Sequence, residues 1–285
     1  MAKHYDKDTT VQPRTGWCSR VSAPRLFFRE WAPPHPRATV LVIHGFGEHS
    51  GRYAELAEYL ADANLLTLIP DLRGFGKSAG SRGFVSVWSE YLDDIHALME
   101  QQSAAQPLLL LGHSMGGLIA IELVLRGGLK FATAVLTSPL LALSMSVPHW
   151  KLVCGAWASK FLPRLTLSSG VAPKFLTHDP EKLEQVEHDP LCVTKATARW
   201  FSEMNKARCR VMNAAPEFRL PCLIIHAGDD HITQPEASRA FLERTQNPDN
   251  QYRLRPGEYH EVLNEVNRLE VMQQIRDWLL ASINR

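Results

Sequence analysis

The chain has 285 residues, 45% of them hydrophobic and 21% charged, with a formal charge of +1 at pH 7. That length and balance suit one large or two small globular domains with a sizeable core, and exclude a disordered chain or a disulfide-held miniprotein. A near-neutral charge supplies no general attraction to nucleic acid or to an anionic membrane. In chain order, residues 15–20 and 25–31 read as a leading hairpin that turns at Ser22-Ala23-Pro24. Short, nearly uncharged runs follow at 38–43 (ATVLVI), 65–69 (LLTLI), 107–111 (PLLLL), 131–137 (FATAVLT) and 223–226 (LIIH). They alternate with helical patterns at 52–63, 89–102, 115–126 and 236–244. Such runs fit strands buried on both faces of a parallel sheet, and the alternation implies right-handed βαβ crossovers. Residues 251–255 read as a last strand. Residues 265–283 read as a closing helix, with Val266, Leu269, Ile275, Trp278 and Leu279 near one face.

One stretch breaks the rhythm. Residues 140–219 hold no clear buried strand, only short helical pieces punctuated by Pro148, Pro163, Pro173, Pro180, Pro190 and Pro216. It is too long for an ordinary loop. We read it as an inserted helical cap that divides an α/β core into residues 1–139 and 220–285. Within 150–162, Trp150, Val153, Cys154, Trp157 and Phe161 recur at spacings of three and four. That stripe either packs on the main domain or forms a lid face for a lipid tail. The five cysteines (Cys18, Cys154, Cys192, Cys209 and Cys222) are odd in number and form no C-x-x-C, so free buried thiols are expected rather than disulfides or a zinc knuckle. The first residues are polar and lack the apolar stretch of a secretory signal. The longest uncharged stretch, 131–148, carries two prolines, two threonines and three serines and reads poorly as a membrane span. The cytoplasm, or the inner face of a membrane, is the expected location.

The chemistry starts where residues 107–111 run into Gly112-His113-Ser114-Met115-Gly116-Gly117 and a helical pattern follows. This is G-x-S-x-G in the strand–turn–helix context it requires. The turn lifts a serine hydroxyl above the sheet, and glycines two residues away let strand and helix approach. Ser114 is therefore the candidate nucleophile. A serine needs a base, and the chain has twelve histidines. His260 lies just after the last strand, at the sheet end where open α/β folds build their sites. His226 reads as a core residue, and His113 as directed away from the serine. After residues 223–226 come Asp229 and Asp230. Asp230 is taken as the acid, in the order Ser114, Asp230, His260, and Asp229 as a turn residue. Two amides are needed where a carbonyl oxygen gains charge, and Phe46 and Met115 are positioned to supply them.

Residues 44–53 (HGFGEHSGRY) resemble the H-G-x-G-E-H-S-x-R-Y signature of monoacylglycerol lipases and related lysophospholipases. Residues 71–83 (DLRGFGKSAGSRG) resemble that family's D-x-R-G-H-G-x-S-x-G-x-R-G block, and Gly112 to Gly117 its G-H-S-M-G-G. Ser138-Pro139-Leu140 and Asp189-Pro190-Leu191-Cys192 are similar to its cap borders. The likeness runs from about residue 25 to the end and is weakest across the cap. It implies an α/β-hydrolase fold, a mostly parallel sheet of about eight strands flanked by helices with an inserted cap. It implies a serine carboxylester hydrolase for monoacylglycerols or similar lipid esters, working through an acyl-enzyme with no metal or organic cofactor. Rival readings are a lysophospholipase, a short- or medium-chain esterase, a thioesterase, an aminopeptidase, and a non-catalytic ligand receptor. Glu48 and Arg52 match family positions near the glycerol end of the pocket, or else pair to steady their loop. Leu140 and Trp157 are added as substrate contacts. Phe75 stands where the family often has His, which should alter loop packing only. Phe46 is bulky where mammalian members have a small residue, which would narrow the acyl entrance. The cap stripe is expected to touch a membrane or micelle, or a second copy of the chain.

Overall fold

The computed structural model describes residues 11–21, 23–102, 107–144 and 149–283, with 149–154 described by their backbone alone. The amino-terminal half contains β1 (Arg14–Cys18), β2 (Leu26–Trp31), β3 (Ala38–Ile43), α1 (Ala54–Ala61), β4 (Leu65–Pro70), α2 (Ser89–Glu100), β5 (Leu108–His113), α3 (Met115–Arg126) and β6 (Phe131–Thr137). After it come α4 (His149–Phe161), β7 (Thr166–Ser168), α5 (Pro180–His188), β8 (Lys195–Thr197) and α6 (Ala198–Asn213). The chain closes with β9 (Cys222–Ala227), α7 (Pro235–Arg244), β10 (Gln251–Arg255) and α8 (Arg268–Ile283).

Eight strands form one sheet in the order β1-β2-β4-β3-β5-β6-β9-β10. β1 and β2 pair antiparallel, β2 runs antiparallel to β4, and the remaining neighbours are parallel. The period-2 geometry of a strand explains the apolar runs. Val40 and Val42 of β3 enter a core shared with α1 and α8, while Leu41 and Ile43 enter the opposite core with α2, α3 and α7. Helices thus cover both faces of the inner strands, which leaves no position for a charge. β3 has β4 on one side and β5 on the other. The connections that leave β3 and β5 therefore diverge, and a crevice opens at their carboxyl ends.

Three details depart from the sequence reading. The closing helix begins at Arg268, so its apolar face falls on Val271, Met272, Ile275, Trp278 and Leu279. Val266 is left in the preceding loop, 62% exposed, and Leu269 is also exposed. A short antiparallel ribbon, exposed β7 with partly buried β8, lies in the stretch read from sequence as short helical pieces without a clear buried strand. Of the free thiols, Cys18 and Cys222 are buried, Cys192 is half-buried and Cys209 is exposed. Cys209 sits opposite the buried stripe Trp200, Met204, Ala207 and Val211 of α6, so helical phase turns it outward. The side chain of Cys154 lies outside the described residues. Among the described residues, no helix is long and apolar enough to cross a membrane.

Candidate active site

β5 passes into α3 through Ser114, whose φ of 52° and ψ of −117° are unusual for a residue with a side chain. The turn is held from several directions. The Ser114 amide donates to the Thr137 carbonyl at 2.9 Å. The Ser114 carbonyl accepts the amides of Gly117 at 2.9 Å, Leu118 at 3.2 Å and Leu140 at 2.9 Å. Such over-determination is what lets a strained residue persist. The flanking glycines are needed for space, since a Cβ on Gly112 would sit 2.5 Å from the Gly116 carbonyl oxygen.

His260 comes from the loop between β10 and α8, and Asp230 from the loop between β9 and α7. The His260 Nε2 lies 2.9 Å from Ser114 Oγ, and its Nδ1 lies 2.7 Å from Asp230 Oδ2. All three residues are buried. Asp230 Oδ1 accepts the amides of Ile232 and Thr233, each at 2.8 Å. Oδ2 also accepts the Thr233 hydroxyl at 2.8 Å. Burial alone would raise the Asp230 carboxyl, but the His260 charge and hydrogen bonds from His226, His260 and the Thr233 amide outweigh it. Together they hold Asp230 well below the usual carboxylate range. Burial likewise opposes a charged His260, and the charge and hydrogen bond of Asp230 reverse that and raise His260 above an ordinary histidine. Asp229 is exposed, in a turn.

The loop after β3 brings Phe46 beside this group. Gly47, at a φ of +81°, accepts the Val193 amide on its carbonyl at 3.0 Å, and a Cβ there would meet the Val193 carbonyl. His44 bridges backward, with Nδ1 2.7 Å from the Gly45 carbonyl and Nε2 accepting the Leu72 amide at 2.9 Å. Among the described residues, neither the Phe46 nor the Met115 amide has an acceptor within the protein. The Phe46 ring packs on Phe75 at 5.3 Å and on Trp200 at 4.3 Å between centroids. Phe75 is fully buried and meets His44 edge-on at 5.7 Å. The motif at 71–83 is scaffolding for these loops. Asp71 accepts the Ser50 amide and the Lys77 amide, each at 2.7 Å, and Arg73 forks onto Asp94 at 2.6 and 2.7 Å.

A family model described as "Serine aminopeptidase, S33" matches residues 34–267. Human monoglyceride lipase is 32% identical over 262 residues, which are 89% of this chain and 86% of that protein. Phospholipase YtpA of Bacillus subtilis is 30% identical over 249 residues, covering 86% and 96% of the two chains. An uncharacterized abhydrolase domain-containing protein of Dictyostelium discoideum is 32% identical over 264 residues, and there the chain spans 28% of its relative's length. Among solved structures, the monoacylglycerol lipase of Paleococcus ferrophilus superposes with a TM-score of 0.84 at 31% identity, over 90% of this chain and 99% of that one. The chain belongs to the monoacylglycerol lipase and lysophospholipase-like family of serine α/β-hydrolases. It has the α/β-hydrolase fold and is a serine ester hydrolase.

Four residues named from the sequence as substrate contacts meet different surroundings in this hydrolase. Arg52 does not pair with Glu48 as its main partner. It forks onto Glu261, the neighbour of His260, at 2.9 and 2.7 Å, where two parallel bonds match the guanidinium to the carboxylate. Glu48 Oε1 instead lies 3.4 Å from His113 Nε2. The His113 ring turns its Nδ1 to the Thr137 carbonyl at 3.1 Å and lies 5.0 Å from the His260 ring. The cavity lined by Glu48, Arg52, His113 and Glu261 measures about 10 Å³, room for no more than a single water. Leu140 is buried in the core and acts on Ser114 through its amide. Trp157 is 65% exposed, stacked on Phe161 at 5.4 Å. Of the cap stripe, the side chains of Trp150, Val153 and Cys154 lie outside the described residues.

Sequence reasoning missed three neighbours of the site: Glu261, Thr233 and His226. Thr233 had a local signal, a hydroxyl three residues after an aspartate. Glu261 had only its place beside His260. His49, Asp189 and Cys192 bring a nitrogen, an oxygen and a sulfur within 4.8 Å of one another. His49 Nδ1 accepts the Gly51 amide at 3.1 Å, so the hydrogen sits on Nε2 and goes to Asp189 at 2.7 Å. Burial pushes the Cys192 thiol up to about 12. That donor set suits a hydrogen-bonded tie better than a metal ion.

Proposed function

We propose that the chain hydrolyses monoacylglycerols through a Ser114–His260–Asp230 triad and an acyl-enzyme. The observation that carries the reading is the buried hydrogen-bonded line from Ser114 Oγ through both ring nitrogens of His260 to Asp230. In this reading His260 takes the hydroxyl proton as Ser114 Oγ attacks the ester carbonyl. The Phe46 and Met115 amides hold the tetrahedral oxyanion, a role in which losing one donor costs about 10²–10³ in kcat. His260 then gives its proton to the leaving glycerol oxygen. A water repeats the sequence on the acyl-Ser114 ester, releases the fatty acid and restores the serine. Asp230 stays ionised throughout and steadies the imidazolium.

Residues 140–219 serve as the cap in this reading. The exposed Trp157, Phe161, Leu162, Leu165 and Leu167 would meet a membrane or micelle, from which the substrate is drawn. The identity to human monoglyceride lipase supports the glycerol head group. The identity to Phospholipase YtpA supports a second reading, hydrolysis of a lysophospholipid.

The test is turnover of p-nitrophenyl esters from acetate to palmitate, with 1-monoacylglycerol and lysophosphatidylcholine alongside, by the wild type and Ser114→Ala. We expect glycerol release, and a loss of about 10⁴–10⁶ in kcat for Ser114→Ala. Substantial esterase activity in that variant would overturn the nucleophile. Faster turnover of lysophosphatidylcholine than of monoacylglycerol would favour the second reading. Phe46→Ala is expected to raise kcat/KM for palmitate relative to butyrate by about 10-fold, the scale of one or two added methylenes admitted to a pocket. An unchanged ratio would remove Phe46 from the acyl entrance.

A further inference from the structure

The Asp230 carboxylate has a neighbour that sequence reading left in the core. His226, on β9, is fully buried. Its Nδ1 lies 2.8 Å from the hydroxyl of Ser238 on α7, which is also fully buried. Its Nε2 faces three oxygens: Asp230 Oδ2 at 3.3 Å, Thr233 Oγ1 at 3.3 Å and the Thr233 carbonyl at 3.4 Å. The Thr233 hydroxyl gives its own hydrogen to Asp230 Oδ2, so all three oxygens turn lone pairs toward His226. Nε2 therefore carries a hydrogen, and the Ser238 contact keeps the ring from turning the other nitrogen inward.

We propose that His226 is a positioning residue for the hydrolysis, sharing Asp230 Oδ2 with His260 and so setting how tightly Asp230 holds the His260 proton. The proposal rests on the reading of Asp230 and His260 as acid and base. Oδ2 has three donors around it: His260 Nδ1 at 2.7 Å, the Thr233 hydroxyl at 2.8 Å and His226 Nε2 at 3.3 Å. A carboxylate oxygen that serves three donors offers less charge to each. The division matters because His260 must be unprotonated to activate Ser114 and protonated to release the alcohol, and a proton affinity near the working pH serves both steps. Asp230 acting on His260 alone would favour the protonated ring, which cannot accept the Ser114 proton. His226 draws part of the Asp230 charge away. His260 is also faced by His113, Glu48 and Glu261. All three are kept in the variants below, so a shift reports the change at Asp230.

The experiment is kcat/KM for p-nitrophenyl butyrate from pH 5 to about 9.5, on the wild type, His226→Leu, His226→Gln and Ser238→Ala, with near-ultraviolet circular dichroism to check folding. His226→Leu should move the acid limb upward by roughly half to one pH unit, the worth of one long hydrogen bond to a charged oxygen, with KM changed less than about twofold. His226→Gln keeps a donor and should return the limb to the wild-type position. Ser238→Ala should move it the same way by a smaller amount. An unmoved limb in folded His226→Leu would reduce His226 to packing. If that variant does not fold, an unmoved limb in Ser238→Ala decides the same point. A downward shift would mean that His226 only orients the carboxylate, and would overturn charge sharing. A wild-type profile without an acid limb, or activity surviving in His260→Ala, would instead overturn the triad reading itself.

Discussion

Two parts of the stretch between β6 and β9 meet the rest of the molecule in opposite ways. Residues 173–193 are fastened by directional contacts. The Glu261 amide donates to the Leu176 carbonyl at 2.8 Å, and the Thr177 hydroxyl donates to the Asn264 carbonyl at 2.8 Å. The His178 Nδ1 lies 2.9 Å from Glu265, and Asp189 accepts from His49 at 2.7 Å. These bonds end on the loops that carry His260 and Phe46. Residues 157–171 instead turn Trp157, Phe161, Leu162, Leu165 and Leu167 to solvent. Among the described residues their backbone hydrogen bonds stay within the stretch, where β7 pairs with β8 and the Leu165 carbonyl accepts the Ala198 amide at 2.8 Å. Hydrogen bonds specify one geometry, whereas apolar packing tolerates sliding and prefers whatever surface excludes water. The first part is thus built to hold the His260 loop in register, and the second to present an apolar face.

The sharpest way to break the fastened part is through Arg52 and Glu261, which brace the His260 loop from the other side. Glu261 is buried and the Arg52 side chain is only 10% exposed, so removing one partner strands the other. Arg52→Met or Glu261→Gln should cost about 3–5 kcal/mol by urea unfolding, and a cost under about 1 kcal/mol would show the brace to be dispensable.

Acid probes the same contact. Burial would raise Glu261, but the charge and hydrogen bonds of Arg52 carry it from 4.5 down to about 2. A carboxyl lowered on folding adds stability above its unfolded value and loses it as pH falls toward the folded one. The urea midpoint should therefore drop between about pH 4.5 and 2, and drop less steeply in Glu261→Gln. His260 has the opposite sign. Its raised value adds stability below the unfolded histidine range, and that stability fades as pH rises through the folded value.

A smaller effect is expected from Thr177→Val, which removes the hydroxyl that donates to the Asn264 carbonyl and accepts the Asp179 amide. It should lower stability by about 1 kcal/mol and reduce kcat more than KM, by moving the His260 loop. An unchanged kcat would uncouple residues 173–193 from the site. The least effect on folding should come from Trp157→Ser combined with Phe161→Ser, within about 0.5 kcal/mol for each exposed residue. That pair should nevertheless slow hydrolysis of monoacylglycerol in vesicles several-fold while leaving p-nitrophenyl butyrate untouched. Equal loss on both substrates would erase the contrast between the two parts.

Much of the fold was legible because local rules suffice for it. The run at 38–43 can only be buried on both faces, and β3 occupies those residues. The elbow at Ser114 announces itself through glycines that only a tight strand-to-helix crossing requires. Position after a strand was enough to nominate His260 and Asp230, and the fold brings the Asp230 carboxylate within 2.7 Å of the His260 ring. Val266 and Leu269 were misread because an apolar residue at helical spacing carries no mark of which way its helix faces. The phase of α8 depended on where it starts, and that is decided by the loop before it.

By itself the sequence determined the order of strands and helices, the strained turn at Ser114, and the loops that carry His260, Asp230 and Phe46, since each depends on neighbours a few residues away. Only the tertiary structure decided that Arg52 reaches Glu261, 209 positions on, rather than Glu48. It alone decided that His226 and His260 face the same Asp230 oxygen, and that the Leu140 amide meets the Ser114 carbonyl. Those pairings follow from how the sheet orders its strands and how its loops converge on one crevice, and no spacing along the chain encodes that distance.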